Sequence, residues 1–161
     1  MAKFRLPFLF VMAFAILVMV GCSSDVFGSN VSVRQADSPL RVSVVDMCIS
    51  IDEDTGEHVL LVRYAYRNDD SATSFSAAVD DEVTVDGKHV PEISFDDMPD
   101  DGNPDRVVDV GAQVMVTKSY GAVPERGALS IRCLKAGRDA TVLFEESGRD
   151  LGDLVPRRCP W

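Results

Sequence analysis

HVLLVRYAYRN, residues 58–68, alternates along its whole length. Leu60, Val62, Tyr64 and Tyr66 share one parity; Arg63 and Arg67 fall on the other, with Val59, Leu61 and Ala65. Successive side chains of an extended chain point to opposite faces, so a two-residue period marks a half-buried strand rather than a helix. The preceding stretch behaves alike: Val45, Met47, Ile49 and Ile51 alternate with Asp46, Cys48 and Ser50. Between the two lies DEDTGE, residues 52–57, polar turn chemistry with Gly56 free to take a positive φ. A hairpin follows from that arrangement.

The same period continues downstream. Phe75, Ala77, Val79, Val83 and Val85 share a parity that Asp81 interrupts, so a bulge or strand break is expected near residues 80–82. Asp86-Gly87 signals a tight turn into Lys88-His89-Val90. Residues 96–105, DDMPDDGNPD, read as a loop, and short strands are expected at 107–110, 113–120, 129–134 and 141–145. No amphipathic helix is visible past residue 22. Many short strands separated by turn signals predict an all-β fold, an antiparallel sandwich of seven or eight strands over residues 39–146 with a C-terminal tail at 147–161.

The N-terminus carries different information. Lys3 and Arg5 precede an apolar stretch from Leu6 to Val20, which ends on Gly21-Cys22-Ser23-Ser24. A positive head, an apolar stretch of about fifteen residues and a small-residue exit describe a secretory signal peptide, expected over 1–21 and removed on maturation. An uncleaved anchor is the competing reading, but the stretch falls short of the roughly eighteen apolar residues a spanning helix needs. Met19-Val20-Gly21-Cys22 resembles the lipobox of bacterial lipoproteins, although that family commonly places Leu where this chain has Met19. The resemblance implies acylation of Cys22 with diacylglycerol and fatty acyl chains such as palmitate. It also implies cleavage before Cys22 and localisation at the cell membrane on its extracytoplasmic face. Residues 23–38, SSDVFGSNVSVRQADS, are polar and aperiodic, and are expected to form a flexible linker behind the lipidated cysteine.

The body resembles a group of secreted, lipid-anchored domains common in Gram-positive bacteria. Its features are Tyr64-Ala65-Tyr66-Arg67-Asn68 ending an early strand, then Val83-Thr84-Val85-Asp86-Gly87-Lys88, then a glycine-led strand from Gly111 to Tyr120. That resemblance implies an immunoglobulin-like sandwich and an envelope location; the group has no established enzymatic activity, and none is expected here. The acidic loop at 96–105 and the cysteine-ended tail lie outside the shared pattern.

Composition narrows the partners. The 161 residues carry a formal net charge of −10, and a leader removed with Lys3 and Arg5 leaves the remainder more acidic still. An acidic surface argues against nucleic acid. No glycine-rich phosphate loop, no CxxC pair and no GxSxG elbow is present, and no cofactor is expected. With Cys22 acylated, three thiols remain outside the cytosol, where one bridge can form. Cys48 with Cys159 is the first pairing, because Cys48 lies on the polar parity; Cys133, on the apolar parity, is the alternative for either partner, and three unbridged thiols remain a further alternative. His58 and His89 stand alone at strand ends, and exposed strand-end histidine is the default reading. Asp96, Asp97, Asp100, Asp101 and Asp105 are hard oxygen donors that could serve an irregular calcium site. Read as an EF-hand around Gly102, however, the third and twelfth positions are Pro99 and Val108, which cannot ligate. A solvated acidic loop is the simpler reading.

Three functions compete. The first is a lipid-anchored, non-catalytic module that presents loops or strand edges to a protein or envelope partner, with Arg63 and Arg67 as surface candidates. The second is a small-ligand or calcium-binding lipoprotein. The third, an envelope hydrolase, has no specific residue pattern behind it.

Overall fold

The computed structural model describes residues 31–77, 79–95, 106–135 and 141–154. The expected signal peptide, Cys22, Cys159 and the five aspartates at 96–105 lie outside them. The described residues are all-β, with several antiparallel sheets. The strands are β1 (Ser32–Gln35), β2 (Leu40–Ile51), β3 (His58–Asn68), β4 (Phe75–Ser76), β5 (Asp80–Val85), β6 (Lys88–Val90), β7 (Glu92–Ile93), β8 (Val107–Val108), β9 (Gln113–Tyr120), β10 (Ala128–Lys135) and β11 (Thr141–Asp150). A single 3-10 turn follows over Leu151–Asp153. Eleven strands lie among the described residues, where seven or eight were expected, and four of them are ladders of only two or three residues.

One sheet has the order β1-β11-β10-β5-β6, a second β2-β3-β9-β7, and β4 pairs with β8 alone. Both larger sheets feed one core. Leu60, Val62, Tyr64 and Tyr66 of β3 and Val116 and Tyr120 of β9 meet Val83 and Val85 of β5, Leu129 and Ile131 of β10, and Leu143 of β11. The face predicted from HVLLVRYAYRN is therefore the buried one. A smaller cluster of Cys48, Val59 and Leu61 forms on the other face of the second sheet, packed by Ile93 and Phe95.

The β2–β3 hairpin closes as the sequence suggests. Gly56 has φ 72°, and its N–H donates to Asp52 O at 2.8 Å. The Asp52 carboxylate accepts from the N–H groups of Thr55 at 2.8 Å and Asp54 at 3.0 Å, which holds the turn. Asp86-Gly87 also turns tightly, with φ 51° and 74°, joining β5 to β6. Asn68 explains why its motif ends on asparagine. It is fully buried; its Nδ2 donates to Thr73 O at 2.8 Å and Val108 O at 3.0 Å, and its Oδ1 accepts from Asp70 N–H at 2.9 Å. One side chain thus pins a loop and β8 to the end of β3.

Four expectations change. The segment expected as part of a tether contains β1, which pairs with β11. All four β1 residues are exposed, so the strand has no buried face to imprint a period. Likewise β11 runs past residue 146 to Asp150, carried through a polar SGRD that shows no alternation. In β2 the register shifts between Val44 and Asp46, leaving Val45 as the extra residue of a bulge and 53% exposed. The bulge lets Val42 and Met47, of opposite parity, both reach the core. Finally, β5 needs no bulge: its pairing with β10 is unbroken from Leu134↔Asp80 to Leu129↔Val85. Asp81 keeps the inward parity and goes into the core.

Candidate functional site

Two places in the described residues concentrate chemistry. The first is a cleft of about 610 Å³ at the end of the sheets where the β2–β3 turn, the β5–β6 hairpin and the segment after β9 converge. Glu57, His58, Asp86, Lys88, His89 and Arg126 supply its polar lining. Its apolar floor is Val85, Val90 and Val123, all buried. Local backbone geometry builds the walls. The Asp86-Gly87 turn brings His89 and Lys88 round; Val123 N–H donates to His58 O at 3.0 Å, and Gly121 N–H to Pro91 O at 3.0 Å. Ala122, on the rim, has φ 51°, a conformation uncommon for alanine. Asp86 is fixed because its Oδ1 accepts from Ala128 N–H at 2.9 Å. Behind it Gly127 has φ 147°, and a Cβ there would lie 2.6 Å from Val85 Cγ1. The two histidines that the sequence leaves isolated thus share one cleft, together with charges of both signs. No spacing rule could have joined them, since they lie on different sheets and share the cleft only through the tertiary fold.

The second place lies inside. Asp81 of β5 and Lys118 of β9 form an ion pair in which both side chains are almost fully buried, at 5% and 6% exposure. Lys118 Nζ also lies 3.2 Å from Glu92 Oε2 on β7, whose side chain is half-exposed. Tyr120 Oη donates to Asp81 Oδ2, and Tyr64 Oη lies 2.9 Å from Tyr120 Oη. With the Tyr120 proton committed to Asp81, Tyr64 is the donor of that second bond. Burial pushes the Tyr64 and Tyr120 hydroxyls far above their ordinary range, so both stay protonated and able to donate. Burial alone would favour neutral Lys118, but the Asp81 and Glu92 carboxylates outweigh it and the net shift is upward. Cys133 stands opposite Asp81 in the β5–β10 ladder; burial pushes its thiol up to about 12, which keeps it an inert SH.

Sequence reading missed this cluster, yet the signal was present. Asp81 follows the parity of Val83 and Val85, and Lys118 that of Val114, Val116 and Tyr120. An acid and a base at inward positions of separate strands are a matched pair.

The remaining candidates separate. Cys48 is disulfide-bonded. Cys133 is free and buried, which removes it as the alternative bridge. It points into the core between the sheets, whereas Cys48 sits on the far face of β2. Arg63 and Arg67 both lie on the outer face of β3, where Arg67 Nε bonds Asp69 Oδ1 at 2.7 Å. Among the described residues no group of three His, Cys, Asp or Glu side chains is placed to hold a metal. No helix among them is long and apolar enough to cross a membrane.

No protein-family model matches the chain. No curated protein matches it either. A solved structure does: that of a "putative lipoprotein from Staphylococcus aureus", with a TM-score of 0.53 at 13% identity, covering 73% of this chain and 92% of that one. At that identity the likeness is one of fold.

Proposed function

We propose that the chain is an extracytoplasmic lipoprotein, cleaved before Cys22 and held by acyl chains on that residue. Its immunoglobulin-like sandwich then acts as a non-catalytic binding module at the cell envelope. The disulfide at Cys48 carries this reading, because structural disulfides persist in oxidising compartments and are rare in the cytosol. The leader and its Gly21-Cys22 exit supply the anchor, and the staphylococcal structure of like fold bears a description of the same kind. Two acyl chains give stable attachment where one is marginal.

The cleft is the binding surface on this reading. It lies on turns and short strands, where recognition residues commonly sit, and it offers Lys88, Arg126 and two imidazoles beside Glu57 and Asp86. Its volume also suits a small polar ligand, which is the second reading.

Replacement of Cys22 by Ala tests the anchor. Fatty-acid labelling should disappear and the protein should leave the membrane fraction; persistent labelling refutes it. For the module, a photo-crosslinker placed at His89 should capture an envelope component on intact cells, and one at Val33, on the exposed β1 edge, should not. Equal capture from both positions refutes the cleft as the docking surface.

A further inference from the structure

Lys118, Asp81, Glu92 and Tyr120 form a complete set for one covalent reaction, and we propose that Lys118 Nζ and Asp81 Cγ condense into an intramolecular isopeptide bond that joins the two sheets. Lys118 is the nucleophile and Asp81 the electrophile; the two already touch, and both are almost fully buried. Glu92 Oε2, at 3.2 Å from Nζ, is the base, and its half-exposed side chain gives departing protons a route to solvent. Tyr120 donates to Asp81 Oδ2, the oxygen on which negative charge develops as the carbonyl carbon is attacked. Tyr64, at 2.9 Å, holds the Tyr120 hydroxyl in that role.

The step balances without any further reagent. The Lys118 ammonium gives one proton to Glu92, and the freed amine attacks Cγ. A bond forms between Nζ and Cγ, and Oδ2 carries the charge under the Tyr120 hydroxyl. The bond from Cγ to Oδ1 then breaks. Oδ1 leaves as water, taking the second proton from nitrogen and the one that Glu92 returns. Nothing is oxidised or reduced.

Two physical arguments favour the product. Burying an ammonium and a carboxylate is costly even when the two are paired, whereas a neutral amide removes both charges. Fixing both groups by packing also supplies the proximity that would otherwise oppose condensation, with effective molarities on the order of 10⁵ M or more. Water, the product, leaves the core. Cys133 does not compete, because its thiol is protonated. The bond would tie β9 of one sheet to β5 of the other, a link that no backbone ladder provides.

Peptide mapping of the full chain, extracted in detergent with its own leader processed, decides the matter. A branched tryptic peptide joining the segments of Lys118 and Asp81, one water lighter than their sum, is expected, with no cleavage after Lys118. Recovery of both segments as separate unmodified peptides, with cleavage after Lys118, overturns the proposal. Glu92→Gln should fold, since the side chain is half-exposed. In pulse-labelled chains it should slow appearance of the branched peptide by about a hundredfold or more. Bond formation at the wild-type rate in that variant overturns the role of Glu92.

Discussion

Tyr66→Phe should stabilise this protein, although it deletes a polar group from the most regular strand. Tyr66 is fully buried, and its Oη has no hydrogen-bond partner among the described residues. A hydroxyl desolvated without a partner costs about 1–3 kcal/mol on mutational scales. Phenylalanine keeps the ring, its packing in the core and its tilted contact with Tyr64 at 6.1 Å. The lost oxygen leaves a small void, which at about 24 cal/mol per Å³ costs a few tenths of a kcal/mol. The net expectation is a gain of about 1 kcal/mol. Tyr64→Phe is the control two residues away on the same face. Its hydroxyl donates to Tyr120 at 2.9 Å, so its removal should cost about 1 kcal/mol. The two variants therefore differ by one oxygen at neighbouring inward positions and should move in opposite directions. Equilibrium urea unfolding of the full chain reads the difference, with an unchanged denaturant slope showing that the unfolded state is not involved. A Tyr66→Phe protein less stable than wild type by about 0.5 kcal/mol or more would refute the reasoning, since the hydroxyl would then be engaged.

Three further predictions concern other parts of the fold. Asn68→Ala should cost about 2–3 kcal/mol in the same unfolding assay, because it strips partners from Thr73 O, Val108 O and Asp70 N–H at once; a loss below about 0.5 kcal/mol contradicts the clamp. Asp52 and Asp150 sit below the ordinary carboxylate range, Asp52 held there chiefly by the Thr55 N–H and Asp150 by the N–H groups of Gly152 and Gly127. Their unfolded forms bind protons more readily, so their contribution is present above about pH 4 and fades as pH falls through the lower folded values. Asp52→Asn and Asp150→Asn together should flatten the stability profile below pH 4, and an unaltered profile counts against those bonds. A non-reducing digest should place Cys48 in a bridge with Cys159 once Cys22 is acylated, and leave Cys133 as a thiol that alkylates only after denaturation; a bridge containing Cys133 contradicts this pairing.

The fold was legible where one face of a strand is buried and the other is not. In β3 every even position from Leu60 to Asn68 is buried; Arg63 and Arg67 mark the other side, although Val59, Leu61 and Ala65 are buried there too, so the strand is more covered than its half-buried pattern suggested. The turns were legible because Gly56 and Gly87 supply a positive φ that few other residues tolerate. Legibility failed where burial does not alternate. The exposed residues of β1 carry no pattern, and the extra residue at Val45 reverses parity in the middle of β2. The cleft was illegible for another reason. His58 and His89 come to one cleft because the segment after β9 bonds to His58 through Val123 N–H while the β5–β6 hairpin carries His89, information spread over distant parts of the chain.

Asp81 looked like a fault in a strand only because β5 was considered alone. Considered with β9, it is half of a motif. An inward acid costs too much to be kept unless another element supplies an inward base, so one charge at core parity predicts its opposite on a facing strand. Lys118 continues an apolar series at inward parity, between Val116 and Tyr120, and it lies on the opposite sheet. The same logic places the tyrosines. A buried carboxylate has four lone-pair sites, and one lysine does not fill them, so a hydroxyl from Tyr120 and its support from Tyr64 complete the shell. Tyr66, one step further along β3, has no such acceptor among the described residues, which is why the same residue type is satisfied at position 64 and carries a desolvated hydroxyl at position 66.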